Sequence, residues 1–261
     1  MPVDAARGLA GRLDATFAPG ARGAVVRATS SPPLELRGPF PGTPLPRFFL
    51  RNVTCGILDG DDYEVTLRAE EGACVRIEPT SATKVYAARS GGARSRVRLE
   101  ALPGSALHYS TAATILHQGA CLTQETEIVL HEGASVAYLE VLALGRLARG
   151  ERLAFRRYAS SLAVRRPDGD PLYEERFILE PWTGIETVDA ATGGAGVIGS
   201  LLLLGTTVGE APTVEASTDV YAGASPLPNG AGVLVRVLGN RAEAVTACLE
   251  AVASHQHALH P

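Results

Sequence analysis

Val65-Thr-Leu67 leading to Gly72-Ala73, Val97-Arg-Leu99 leading to Gly104-Ser105, and Ile128-Val-Leu130 leading to Gly133-Ala134 are three copies of one short pattern. The glycines lie 32 and then 29 residues apart. Aligning on them stacks Val75 with Leu107 and Val136, and Ile77 with Tyr109 and Tyr138. Each unit is therefore a strand, a glycine turn and a second strand. Apolar ladders at a fixed period suit coils that bury their faces against one another, rather than a βαβ sheet. An ordinary antiparallel meander repeats near the same spacing and is the plainer alternative. The pattern predicts an all-β chain: a β-helix or stacked two-layer, solenoid-like single domain over residues 1–261, with one or two short helices.

Working outward, 28 glycines and 17 prolines punctuate short alternating segments such as Arg96-Val-Arg-Leu99 and Glu127-Ile-Val-Leu130. A helix is expected near the C-terminus, at about 240–259, where Ala244, Val245, Cys248, Leu249 and Val252 form a stripe. A second short helix is expected at Gly199–Leu204. With 46% hydrophobic and 20% charged residues among 261, the chain can bury a sizeable core. A net charge of −4 without a long basic run argues against nucleic acid as a partner. The longest apolar run, Val197–Gly205, is too short to span a bilayer. The start carries Asp4 and no apolar core of a secretory signal, and the widely spaced Cys55, Cys74, Cys121 and Cys248 form no CxxC pair. A cytoplasmic protein with free thiols is the expectation.

The glycine alignment also places Glu140 in register with Pro79 and Thr111. Glu140 shares a strand face with Tyr138 and Val136, while Ala137, Leu139 and Val141 make the other face apolar too. Both faces should then be covered. An isolated buried carboxylate costs several kcal/mol or more. Glu140 must either be neutralised by a partner or line a polar path.

Other segments carry possible chemistry. Asp59, Asp61 and Asp62 crowd a glycine turn and could hold a hard or borderline cation, although Asp-Gly is also a plain turn signal. Thr80, Ser81, Thr83 and Lys84 bring three hydroxyls and an ammonium together, enough to line a wet channel or meet an anion, or simply to form a polar strand edge. Arg146, Arg149 and Arg152 recur around Glu151, as a docking loop, a clamp on Glu140, or a solvated turn. His108, His117 and His131 are isolated and read as surface or turn residues. His255, His257 and His260 offer imidazoles suited to nickel or zinc in what is otherwise a frayed tail. Neither a nucleophile elbow nor a dinucleotide fingerprint occurs.

Several blocks, in order, resemble the UreD (UreH) family of urease accessory proteins over roughly residues 9–205. They include Gly11-Arg-Leu13, Arg37-Gly-Pro-Phe40, Gly56-Ile-Leu-Asp-Gly-Asp61 and Thr83-Lys-Val-Tyr86. Ala113-Thr-Ile-Leu116, Glu140-Val-Leu-Ala-Leu-Gly-Arg146 with Arg149-Gly-Glu151, Glu174–Leu179 and Gly199–Gly205 follow. The resemblance implies a β-helical scaffold that is not an enzyme and holds no tightly bound cofactor. It implies a UreF-like partner, a UreG-like GTPase and apo-urease as the client, with transient Ni²⁺ passing through an internal tunnel. Asp61 and Glu140 would meet the metal, with Thr83, Lys84 and Tyr86 lining the way and Arg146, Arg149 and Glu151 serving partners or structure. Departures are Asp59 in place of a turn glycine, His117-Gln118 in place of a phenylalanine and an acidic residue, and an Ala-rich C-terminal helix with histidines in place of an Arg/Trp-rich one. A β-solenoid enzyme acting on polysaccharide, and an adaptor with no metal role, are the competing readings. An aromatic content of 5% with a single tryptophan, Trp182, weakens the first.

Overall fold

A computed structural model describes residues 8–20, 23–40, 45–205 and 219–257. In chain order the strands are β1 (Ala10–Gly20), β2 (Gly23–Ser30), β3 (Leu34–Phe40), β4 (Arg47–Asn52), β5 (Asp62–Ala69), β6 (Cys74–Pro79), β7 (Thr83–Val85), β8 (Ala93–Ala101), β9 (Ala106–Ser110) and β10 (Thr114–Leu116). They continue as β11 (Cys121–Leu130), β12 (Ser135–Ala143), β13 (Arg157–Arg165), β14 (Pro171–Leu179), β15 (Val197–Gly205), β16 (Val220–Pro226) and β17 (Gly232–Gly239). The helices are α1 (Pro181–Thr192) and α2 (Ala242–His257).

The strands form two layers. The first sheet runs β14-β13-β11-β8-β5-β1-β2 and the second β16-β17-β15-β12-β9-β6-β4-β3, with β7 and β10 paired beside β12. The three repeat units are successive coils. In each, a strand of the first sheet (β5, β8, β11) passes through a glycine turn into a strand of the second (β6, β9, β12). Coils pair in parallel within both sheets. Gly72, Gly104 and Gly133 all adopt positive φ, at 71°, 68° and 72°, a conformation that penalises any residue with a Cβ. The turns are also hydrogen-bonded to one another, Gly72 N–H donating to Pro103 O and His131 N–H to Ala101 O.

Because the turns stack, side chains at equal distance from them stack as well. Leu67, Leu99 and Ile128 lie in one register and are fully buried. The expected ladders Val75–Leu107–Val136 and Ile77–Tyr109–Tyr138 form in the second sheet, and the rings of Tyr109 and Tyr138 stack at 6.1 Å. These ladders are the core between the layers. A second core forms where α2 packs on the outer face of the second sheet, joining Val245 and Leu249 to Leu139, Val141, Leu201 and Val235. Both faces of β12 are therefore covered, as its composition predicts.

The helix expected at about 240–259 is α2. The expectation of a helix at Gly199–Leu204 is incorrect: this run is the centre of β15, between β12 and β17. Being buried on both sides, it shows no alternation to mark it as a strand. Gly199 has a packing role there, since a Cβ would stand 2.4 Å from a methyl of Val245 on α2. The other helix is α1, which begins with Pro181 and ends at Gly193 in the left-handed region. His108, expected at a surface or turn, is buried on β9, where it sits beside Ala137 under the helix-covered face. The side chains of His255 and His257, and all of His260, lie outside the described residues. Among the described residues no helix is long and apolar enough to cross a membrane.

The coil ladders carry the stability of the stack. Leu99→Ala should destabilise the protein by about 2–5 kcal/mol, because it removes a fully enclosed side chain between two rungs. Chemical denaturation checks this. A loss below about 1 kcal/mol would mean that the inner ladder can collapse around the cavity.

Candidate functional site

One layer of the interior breaks the apolar rule. In the first sheet Tyr63, Ser95, Gln124 and Ser160 lie in register on β5, β8, β11 and β13. In the second sheet Glu140, Ser200 and Arg236 lie side by side on β12, β15 and β17. Thr111 precedes Glu140 in that row, its N–H bonded to Leu139 O. Between these rows a cavity of about 460 Å³ opens, with Tyr63, Ser95, Thr111 and Gln124 among its walls and Thr83 and Lys84 beside them. Thr80 and Ser81 line it too. Beyond Gln124 a narrow cleft of about 10 Å³, room for about one water, holds Glu140, Ser160, Glu175 and Ser200.

Glu140 lines the narrow cleft and is tied to the cavity wall through Gln124. Gln124 Nε2 donates to its Oε1 at 2.7 Å, Tyr158 OH donates to the same oxygen at 2.8 Å, and Tyr138 OH reaches Oε2 at 3.2 Å. Part of its surface stays open, and that part faces the internal cleft. Burial raises its pKa above the ordinary value of 4.5, and the three donors and the charge of Arg236 only partly offset this. Tyr138 and Tyr158 are pushed far above the usual tyrosine range, first by burial and then by the Glu140 charge, and so remain donors. The clamp on Glu140 by Arg146 or Arg152 is not formed. Arg146 pairs with Glu151, and Arg152 with Asp189. The cation nearest in chemistry is Arg236, which donates to Ser200 Oγ at 2.7 Å and pairs with Glu175 across the layers.

The acidic turn does not converge on one point. Asp59 accepts from the N–H groups of Arg89, Ser90 and Gly92 and from Ser90 Oγ. Partial burial works to raise its pKa, but these bonds prevail and it stands at about 2. Asp62 pairs with Arg96. Asp61 is buried and accepts from Leu9 N–H at 2.8 Å, Leu58 N–H at 2.9 Å and Tyr63 OH at 2.6 Å. It stands behind the cavity wall and fixes Tyr63 in it. Among the described residues no group of three or more His, Cys, Asp and Glu could hold a metal ion.

Lys84 borders the first cavity and also a second cleft, where Tyr86 and His117 lie. Residues two apart on a strand share a face, and Val85 between them points to the other side and is buried, while Tyr86 does not reach the first cavity. Arg146 and Glu151 close the 145–151 turn, where Glu151 Oε1 also accepts from Gln118 N–H at 2.9 Å. Arg149 is exposed on the same turn. Sequence reasoning missed Gln124, Tyr158, Ser200 and Arg236. Only the Tyr63–Ser95–Gln124 row carried a usable signal, the same 32- and 29-residue spacing as the glycines.

Comparison with known proteins agrees with the architecture. A family model described as "UreD urease accessory protein" matches residues 9–260. A urease accessory protein UreD of Haloarcula marismortui is 34% identical over 94% of this chain and 85% of its own length. UreD 2 of Streptomyces griseus is 31% identical over 93% of this chain and 87% of its own. UreD of Cenarchaeum symbiosum is 26% identical over 90% and 86%.

The raised pKa of Glu140 has a signed consequence. A carboxyl whose folded pKa exceeds its unfolded one stabilises the fold fully below the unfolded value, and that contribution fades as pH rises toward the folded value. Glu140→Gln imitates the protonated form at all pH. Its stability relative to the native chain should be flat below about pH 4.5 and climb from there toward neutrality. Denaturant titrations across this range would read it. A pH-independent difference would mean that Glu140 ionises as freely folded as unfolded.

Proposed function

Since the chain belongs to the UreD family of urease accessory proteins, we propose that it is a non-catalytic scaffold of urease maturation whose interior passes nickel toward apo-urease. The carrying observation is the polar layer that runs from the cavity, through Gln124 and Glu140, to Ser200, Glu175 and Arg236. A divalent cation in that layer meets hydroxyl, amide and carboxylate oxygens. These are weak, exchangeable ligands for nickel compared with imidazole or thiolate, which suits an ion in transit. Glu140 is the anionic step: it gives up its proton as the cation arrives and regains it as the cation leaves, since metal binding and deprotonation are linked. Thr83 and Lys84 stand at the cavity, and Asp61 acts at one remove by holding Tyr63.

A role without turnover fits the size of the cleft around Glu140. Space for about one water admits no sugar ring, and the neighbouring Glu175 is tied to Arg236. The scaffold role takes a UreF-like protein that brings a UreG-like GTPase, and the relatives' shared name, urease accessory protein, supports urease as the client. Exposed Ile178 at the end of β14 and Trp182 and Ile185 on α1 offer apolar surface to such partners.

Glu140→Gln separates passage from assembly. In cells making urease and its accessory proteins, nickel per urease active site and urease activity should fall on the order of tenfold or more. The tagged chain should still capture the UreF-like protein and urease. Full nickel loading with Glu140→Gln would remove the path, and absence of any complex with the native chain would remove the scaffold.

A further inference from the structure

A second concavity adjoins the first cavity at Lys84, which lines both, and shares no other lining residue with it. The 145–149 turn, the end of β10 and the start of α2 surround a cleft of about 630 Å³, a volume within the range of small-molecule sites. Its apolar wall includes Ile115, Leu147 and Val197, and Tyr86 and His117 meet there edge to face at 4.9 Å. Arg146 is neutralised by Glu151. Lys84, Arg149 and Arg241 also line the cleft, are exposed, and make no ion pair among the described residues. The carboxylate among the lining residues is Glu243. The cleft therefore carries an excess of positive charge over an apolar floor, beside an aromatic pair.

We propose that this cleft binds a small molecule bearing a phosphate or similar oxyanion, with Lys84, Arg149 and Arg241 as its charged contacts. Arginine forks and a lysine ammonium are the donors suited to such a group. The proposal stands independently of the nickel path. His117 reports on it from within: its pKa is lowered first by burial and then by Arg146, with Lys84 and Arg149 adding to the effect and Glu151 opposing it. An anion seated among these cations would raise it.

The test is a pH titration of the His117 ring by NMR in the full-length chain, with inorganic phosphate added against potassium chloride of equal ionic strength. Phosphate should raise the His117 pKa saturably and beyond the chloride effect. The double substitution R149A/R241A, at two exposed positions, should weaken the apparent phosphate affinity about tenfold or more. R149K/R241K should retain part of it, and R165A, on β13 of the first sheet and outside the cleft, all of it. An equal shift with chloride would reduce the effect to screening and overturn the site, as would an unchanged phosphate response in R149A/R241A. A response to polyglutamate but not to phosphate would also overturn it, making the cleft a seat for an acidic protein segment.

Discussion

Everything in this fold hangs on the stacking of three left-handed glycine turns. Each turn reverses the chain from the first sheet to the second and is hydrogen-bonded to the turn of the next coil. Once the turns coincide, parallel pairing allows no freedom of register, since a slip of one residue would send every inward side chain outward. Position along a strand, measured from the turn, thus becomes position along the molecule's depth. Near the turns the layers are aliphatic: Ala69, Ala101 and Leu130, then Leu67, Leu99 and Ile128. Farther from them the side chains become Thr126 against Tyr138, and then Gln124, Glu140 and Ser160.

That gradient explains how a carboxyl can sit inside the stack. Glu140 would be costly among the aliphatic ladders, but its own layer supplies an amide, and the layers on either side supply a phenol each, Tyr138 and Tyr158, as donors. The donors are neutral, which leaves the group poised instead of locked. A guanidinium in direct contact would have pinned it as an anion, as Arg146 pins Glu151. Arg236 is instead occupied by Glu175 and Ser200 and acts on Glu140 only through its field. The carboxylates differ in their fixed partners. Asp59 and Asp61 each accept from at least two backbone N–H groups besides a hydroxyl, and Glu151 is held by Arg146 and a backbone N–H. Glu140 accepts from neutral side chains alone, which could as readily turn to another ligand.

The repeating half of the molecule was legible in its residues. The glycine spacing fixed which side chains stack, and the apolar residues on both faces of β12 correctly indicated cover on each side. What could not be read lies beyond the repeat. Strands β14 to β17 pair antiparallel, so their register owes nothing to the 32- and 29-residue spacing, and the neighbours of Glu140 on β15 and β17 were invisible. The leucine run of β15 is uniformly buried and so lost the alternation that would have separated it from a helix. The acidic turn misled in another way: three adjacent carboxylates look like one site in a string of letters, yet each turns to a different partner in space. Arg146 and Arg152 were similarly close to Glu140 in sequence and engaged elsewhere.

The coil construction also bears on how such a protein can change size. A residue added within a stacked strand or its glycine turn would shift that rung against its neighbours and break its layers at once, whereas the connections between strands already differ by three residues from coil to coil. A whole coil of about thirty residues, inserted between two others, would leave each layer intact and simply extend it. The height of the stack is therefore quantised. Any lineage that lengthens or shortens the stack by complete coils moves Glu140 nearer to or farther from an end of the sheet in steps of one strand spacing, about 4.8 Å, while its immediate surroundings stay the same.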